Sequence, residues 1–142
     1  MANNPEWLNP RSAAIPIMRD AQGIKVVLVT SKPNGNNWIF PKGQVEMGMA
    51  AHLSAAKEAL EEAGVIGQVN PEVFDQYQHK KWGGSMTVRV YLLEVTEVLS
   101  SWHEMHQRGR KILPLDDAIN LIHAPQKQSL IKLMQQLKNK AI

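Results

Sequence analysis

The chain has 142 residues, no cysteine, and 16 Lys/Arg against 13 Asp/Glu, a formal charge of +3. This length supports one domain with a core of its own; the lack of cysteine excludes disulfides and thiol catalysis; and no run of about 20 apolar residues is present to cross a bilayer. The opening MANNPEWLNP has no basic segment followed by an apolar one, so no secretory signal is read there and a cytoplasmic setting is expected.

Residues 1–10, with two prolines and three asparagines, read as an irregular arm, and 11–142 as a single domain. Ala13 to Met18 is a short apolar run that predicts a strand, and Asp20-Ala21-Gln22-Gly23 a turn. Ile24 to Thr30 is rich in β-branched residues and predicts a buried strand. Ser31 to Asn37 (SKPNGNN) is a loop by its turn residues. Trp38-Ile39-Phe40 predicts a short strand, and Pro41-Lys42-Gly43 a tight turn that exposes a carbonyl and a cation. A helix is predicted over Met49–Ala63, capped by Gly64, with Leu53, Ala56 and Leu60 as its core face by their helical spacing. Two strands follow, Val73–Lys80 and Met86–Val95, joined at Gly83-Gly84. Thr96–Gly109 reads as a loop or partly helical, Lys111–Leu113 as a short strand. Pro114 opens a helix with Asp116 and Asp117 in its first turn. Pro125 opens a last helix with Leu130, Ile131, Leu133, Met134 and Leu137 as an apolar face. Strands alternating with helices indicate an α/β or α+β class.

On the first helix Glu58, Glu61 and Glu62 stand at i, i+3 and i+4, which puts three carboxylates on one face. Mutual repulsion makes such a cluster costly unless it is solvated or shares a hard divalent cation such as Mg²⁺, which prefers oxygen ligands. Charge is unevenly placed: Gly43 to Val65 holds four acids and one base, the remainder 15 bases and 9 acids. An acidic metal site in basic surroundings suits a small polyanion delivered with Mg²⁺. No Lys/Arg run longer than two and no aromatic–basic interleaving is present, so a nucleic-acid partner is not expected.

The segment Gly43 to Val65 resembles the Nudix box, G-x5-E-x7-R-E-U-x-E-E-x-G-U with U a bulky aliphatic residue. Gly43, Glu58, Glu61, Glu62, Gly64 and Val65 match in register, while Met49 stands at the first glutamate and Lys57 at the arginine. Lysine lacks the planar fork of arginine, so weaker metal binding or slower turnover is expected rather than a dead site. Downstream, VYLLEVTEVL, Trp102, Gly109-Arg110-Lys111 and the Asp-Ala-Ile of the next helix resemble the diphosphoinositol polyphosphate phosphohydrolase branch, which also cleaves diadenosine polyphosphates. PKGQ departs from the three glycines usual at that turn in the branch.

The resemblance implies an α/β/α sandwich with a mixed sheet between helices. It implies a hydrolase that cleaves a phosphoanhydride bond in a small-molecule substrate with Mg²⁺ (or Mn²⁺). The ion would be held by Glu58, Glu61, Glu62 and the carbonyl of Gly43, with Glu58 the first choice for general base. Arg110 and Lys111 match the triplet that contacts phosphates in the branch. Lys42, Ser31 and Lys32 are further substrate-binding candidates, and Arg11 and Arg89 weaker ones. The protein is expected to be a monomer or homodimer. The rival reading is a degenerate Nudix domain that binds nucleotide or polyphosphate without cleaving it, favoured by the paired loss at Met49 and Lys57. His103-Glu104-Met105-His106 does not have the spacing of a zinc-protease motif; Glu104 is instead a candidate extra loop acid. Trp38 is a candidate for stacking on a base, and Trp82 and Trp102 are expected to pack.

Overall fold

The structure, a computed structural model, describes residues 10–32, 35–81 and 83–140. The arm before Pro10 and the packing expected of Trp82 lie outside the described residues. Eight strands and three helices follow in order: β1 Arg11–Asp20, β2 Gly23–Thr30, β3 Trp38–Ile39, β4 Lys42–Gln44, α1 Ala51–Glu58, β5 Val65–Val69, β6 Asp75–Lys81, β7 Gly84–Val98, β8 Arg110–Pro114, α2 Leu115–Leu121 and α3 Ala124–Lys140. Helix α1 continues into a wider π-turn over Ala59–Ala63, and Gly64 closes it in the left-handed conformation.

The strands form one mixed sheet. β7 is its spine: it runs parallel to β1 along one edge and antiparallel to β6 and then β5 along the other. The two-residue alternation of each strand builds two cores, one per face. Ala13, Ile15, Ile17, Val26, Leu28, Val88 and Val90 face α2 and α3, where Leu115, Ala118, Ile122, Leu130 and Leu133 cover them. Ala14, Val27, Val29, Tyr91 and Leu93 face α1, where Ala55, Ala59 and Ala63 cover them. This is the expected α/β/α sandwich. Each large side chain so buried contributes about 1.5–3 kcal/mol.

Two expectations are corrected on the α1 side. Leu53 and Leu60, read as core, are 51% and 39% exposed, while Ala55, Ala59 and Ala63 are fully buried. The sheet supplies the bulk there, so the helix presents its small residues and approaches closely. Pro41-Lys42-Gly43 is no tight turn: Lys42–Gln44 is β4, paired antiparallel with Ala13, Ser12 and Arg11 of β1. Strand β5 was not anticipated, because VIGQV is short and interrupted by a glycine.

Strands β1 and β2 pair only near their hairpin, from Ile17↔Val26 to Asp20↔Gly23. β7 takes the far edge of β1 and β8 that of β2, so β4 and β3 occupy the inner edges where the pair splays. This insertion brings Lys42 and Gly43 to the middle of the sheet, beneath the end of α1. The α2–α3 junction closes over the same opening: the His123 N–H donates to the Trp38 carbonyl at 2.9 Å, and the Phe40 N–H to Gln126 Oε1 at 2.9 Å.

Candidate active site

The carboxylates sit where helix and sheet come closest. A Cβ placed on Gly43 would lie 2.5 Å from the Glu58 carboxyl carbon, so only glycine admits Glu58 there; the backbone angles at this residue are not left-handed. The π-turn then divides the three acids. Glu58 and Glu62 are hydrogen-bonded to each other, and Glu62 is 3% exposed. Glu61 leans instead on Lys57, 3.5 Å away, and Lys57 also pairs with Glu46.

Electrostatics follow from this packing. Burial first, and then the hydrogen bond to Glu58 and its charge, push the Glu62 carboxyl up to about 9, against opposing pulls from Arg108 and the Lys42 N–H. Burial also raises Glu58, a rise that Glu61 and Glu104 reinforce and that the Glu62 hydrogen bond and Lys57 oppose. Glu62 Oε1 accepts from the Lys42 backbone N–H at 3.2 Å, and Arg108 Nη2 stands 3.8 Å from Glu62 Oε2.

A cleft of about 300 Å³ opens beside this pair. Ser31, Lys32, Lys42 and Arg108 line it on the polar side, Tyr77 and His79 from β6, and His123, Pro125 and Gln126 from the α2–α3 junction. Lys32 Nζ reaches Glu104 at 3.3 Å and Gln107 at 2.9 Å; Arg108 Nε donates to Glu104 at 2.8 Å and its Nη1 to the Thr30 carbonyl at 2.9 Å. Burial alone would raise the Glu104 carboxyl, but hydrogen bonds from Arg108 and Lys32 outweigh it and hold it below its ordinary value.

Of the residues singled out in the sequence, the structure brings together Gly43, Glu58 and Glu62, and sets Lys42, Ser31 and Lys32 in the adjoining cleft. Arg110 and Lys111 are not among the cleft-lining residues. The Arg110 guanidinium donates to the carbonyls of Ala63 (3.0 Å) and Leu99 (2.8 Å) and lies 3.9 Å over the Trp102 ring. Lys111 Nζ sits 4.9 Å over the Trp38 ring, the candidate for stacking on a base. Arg11 and Arg89 line a separate cavity. Arg108, Tyr77, His79, His123 and Gln126 were not anticipated. Arg108 sits in a segment without periodicity, and its one signal is its place just ahead of the Gly109-Arg110-Lys111 triplet.

Among the described residues no three acidic or imidazole side chains already form a metal cage. The donor set nonetheless fits a hard divalent ion. Glu58 and Glu62 crowd one buried spot, and an ion there would replace the proton they share. The buried Ser12 hydroxyl, opposite Gly43 in the β1–β4 register, has no hydrogen-bond partner among the described residues, so polar capacity remains beside the carboxylates.

Such a fold and cleft define a phosphohydrolase domain, its acidic floor set against cationic walls. The NUDIX domain family model matches residues 8–136, and the chain belongs to that family. Diphosphoinositol polyphosphate phosphohydrolase 3-beta of Homo sapiens is 34% identical over 128 residues, covering 86% of this chain and 75% of that protein. The Ap4A hydrolase of C. elegans, in its binary complex, has a similar fold: TM-score 0.76, 21% identity, 92% of this chain and 98% of that one. So does the NUDIX domain of Shewanella oneidensis NrtR complexed with ADP ribose, with TM-score 0.72, 16% identity and coverage of 95% and 94%. The chain is a Nudix hydrolase rather than a retired binding domain: the family model covers most of it, and the curated relative it matches over 86% of its length is named a phosphohydrolase. Nudix hydrolases generally use divalent metals. Among the described residues no helix is long and apolar enough to cross a membrane.

Proposed function

We propose that the chain hydrolyses a phosphoanhydride bond in a polyphosphorylated small molecule, a diadenosine polyphosphate or diphosphoinositol polyphosphate, with Mg²⁺ and with Mn²⁺ as a substitute. One observation carries the reading: Glu62 is buried against Glu58 beneath Gly43, on the floor of a cleft walled by Lys32, Lys42 and Arg108. The names of the related diphosphoinositol polyphosphate phosphohydrolase and of the Ap4A hydrolase with a similar fold support the substrate class.

Glu58, Glu61, Glu62 and the Gly43 carbonyl would hold the ion, Glu61 turning away from Lys57 to do so. When bound, the ion supplies positive charge against the phosphate oxygens and lowers the pKa of water. Glu58 is assigned as general base because it stands next to Lys57, which takes the position of the Nudix arginine, and it would take a proton from the attacking water. Lys32 and Lys42 act on the phosphates as point charges and Ser31 as a hydroxyl donor. Arg108 balances Glu62 and Glu104 and, lining the cleft, would offer its remaining donors to a bound phosphate. Arg110, whose guanidinium holds the Ala63 and Leu99 carbonyls, and Lys111, which sits over Trp38, are left out of this set.

The test is phosphate or nucleotide release from a panel of diadenosine tetraphosphate, ATP and a diphosphoinositol pentakisphosphate, with Mg²⁺ and with EDTA. Release from at least one compound with Mg²⁺, abolished by EDTA, is expected. Release that persists in EDTA, or none from any compound, would overturn the proposal.

A further inference from the structure

A helix leaves its last carbonyls without intrahelical partners, and here their destinations are all accounted for. The Gly64 N–H closes the π-turn on Leu60 at 3.1 Å. The next four carbonyls all accept from one segment, residues 99–110. Glu61 accepts from the Glu104 N–H at 3.0 Å, Glu62 from Trp102 Nε1 at 3.0 Å, Ala63 from Arg110 Nη1 at 3.0 Å, and Gly64 from the Leu99 N–H at 2.8 Å. Two of these donors are side chains, and they are joined: the Arg110 guanidinium lies 3.9 Å over the Trp102 ring and also holds the Leu99 carbonyl. The Trp102 ring packs so closely on Gly64 that a Cβ there would meet it at 2.7 Å.

The consequence falls on the carboxylates. A π-turn is wider than an α-turn, and its register decides whether Glu62 or Glu61 faces Glu58. Trp102 and Arg110 grip the backbone at Glu62 and Ala63, within the turn that points Glu62 at Glu58 and Gly43. Neither side chain lines the cleft.

We infer that Trp102 and Arg110 are positioning residues, which fix the backbone of the π-turn so that Glu62 and Glu58 converge below Gly43. The inference rests on the reading of these glutamates as metal ligands. It gives the Arg of the Gly-Arg-Lys triplet a task inside the protein instead of on the substrate.

Two variants separate these roles. Trp102→Phe keeps the ring beneath Arg110 and against Gly64 but removes the donor to Glu62. Arg110→Lys keeps the charge, sufficient for a point contact with phosphate, but loses the fork that holds two carbonyls. Each is compared with the parent by Mn²⁺ titration without substrate, followed by electron paramagnetic resonance, and by kinetics on diadenosine tetraphosphate; thermal unfolding checks the fold. Weakening of Mn²⁺ binding by about tenfold or more in both variants is expected, with a lower kcat and a KM within about twofold of the parent. Unchanged Mn²⁺ affinity in both variants, or a raised KM at unchanged Mn²⁺ affinity in Arg110→Lys, would overturn the inference. Glu61→Gln serves as the reference: if it binds Mn²⁺ as the parent does, the metal reading fails, whatever Trp102 and Arg110 do.

Discussion

Lys57 is ion-paired with Glu46, three residues ahead of the position where the Nudix pattern places its first glutamate. A carboxylate earlier in the loop thus meets the cation that stands in place of the arginine. The same ammonium touches Glu61 at 3.5 Å, so Glu46 and Glu61 share one partner. Their hydrogen bonds and charges, led by the bond to Glu46, raise the Lys57 pKa and keep the side chain charged. Glu46→Gln leaves Lys57 to Glu61 alone, where it competes with a metal ion. The Mg²⁺ concentration for half-maximal rate is predicted to rise about two- to fivefold, the scale of an exposed pair. With Glu46 in place, Met49→Glu combined with Lys57→Arg is still expected to raise activity, because arginine adds a second hydrogen bond to a carboxylate.

Gly43→Ala is predicted to fold and fail. The backbone there lies outside the left-handed region, so alanine brings no conformational strain. Its methyl group, however, would stand 2.5 Å from the Glu58 carboxyl carbon and push that side chain aside. Displacing a reacting group by an ångström costs about 10²-fold in rate. Circular dichroism and kcat measured on the same preparation check both halves of the prediction.

The Glu62 carboxyl, raised from 4.5 to about 9, predicts a particular pH dependence of stability in metal-free protein. Below 4.5 both folded and unfolded chains hold the proton, and the stability linked to this group is complete. Above it the unfolded chain releases the proton while the folded chain keeps it, so stability declines with rising pH until the folded group ionises near 9. Glu62→Gln removes this decline. Its melting temperature in EDTA at pH 8 is predicted to exceed the parent's by about 3–10 °C, although its activity is lost. Thermal scans from pH 5 to 9 measure the difference, which should shrink towards pH 5.

Glu61→Gln is predicted to lower kcat by about 10²–10³-fold without unfolding the protein. Glu61 is half-buried and its carboxylate pairs with Lys57 at 3.5 Å, so the glutamine amide fits the same space. A variant as active as the parent would remove Glu61 from the metal site.

An α/β class is legible in the sequence from the β-branched run of β2 and the apolar face of α3, and the sandwich from the resemblance carried by the box, whose glycines and acids stand in register. Two features were hidden. Hydrophobicity ranks Leu53 and Leu60 above alanine, but the room between α1 and the sheet selects side-chain volume, so Ala55, Ala59 and Ala63 face inwards. Trp102 reaches Glu62, 40 positions away in the chain, Arg110 reaches Ala63, 47 away, and Arg108 reaches Thr30, 78 away. No local pattern encodes such pairings. Reading Arg110 from a motif put its charge towards substrate, whereas the fold turns it onto the end of α1.

The central claim, that Glu58, Glu61 and Glu62 converge on one divalent ion beside Gly43, is tested most directly by anomalous diffraction from crystals of the protein soaked in Mn²⁺. The account predicts an anomalous peak bonded to carboxylate oxygens of these glutamates, at the ordinary metal–oxygen distance of about 2.1 Å, with the Glu58–Glu62 hydrogen bond broken. Crystals in which that hydrogen bond persists, Glu61 stays on Lys57 and no peak lies within the cleft would contradict it.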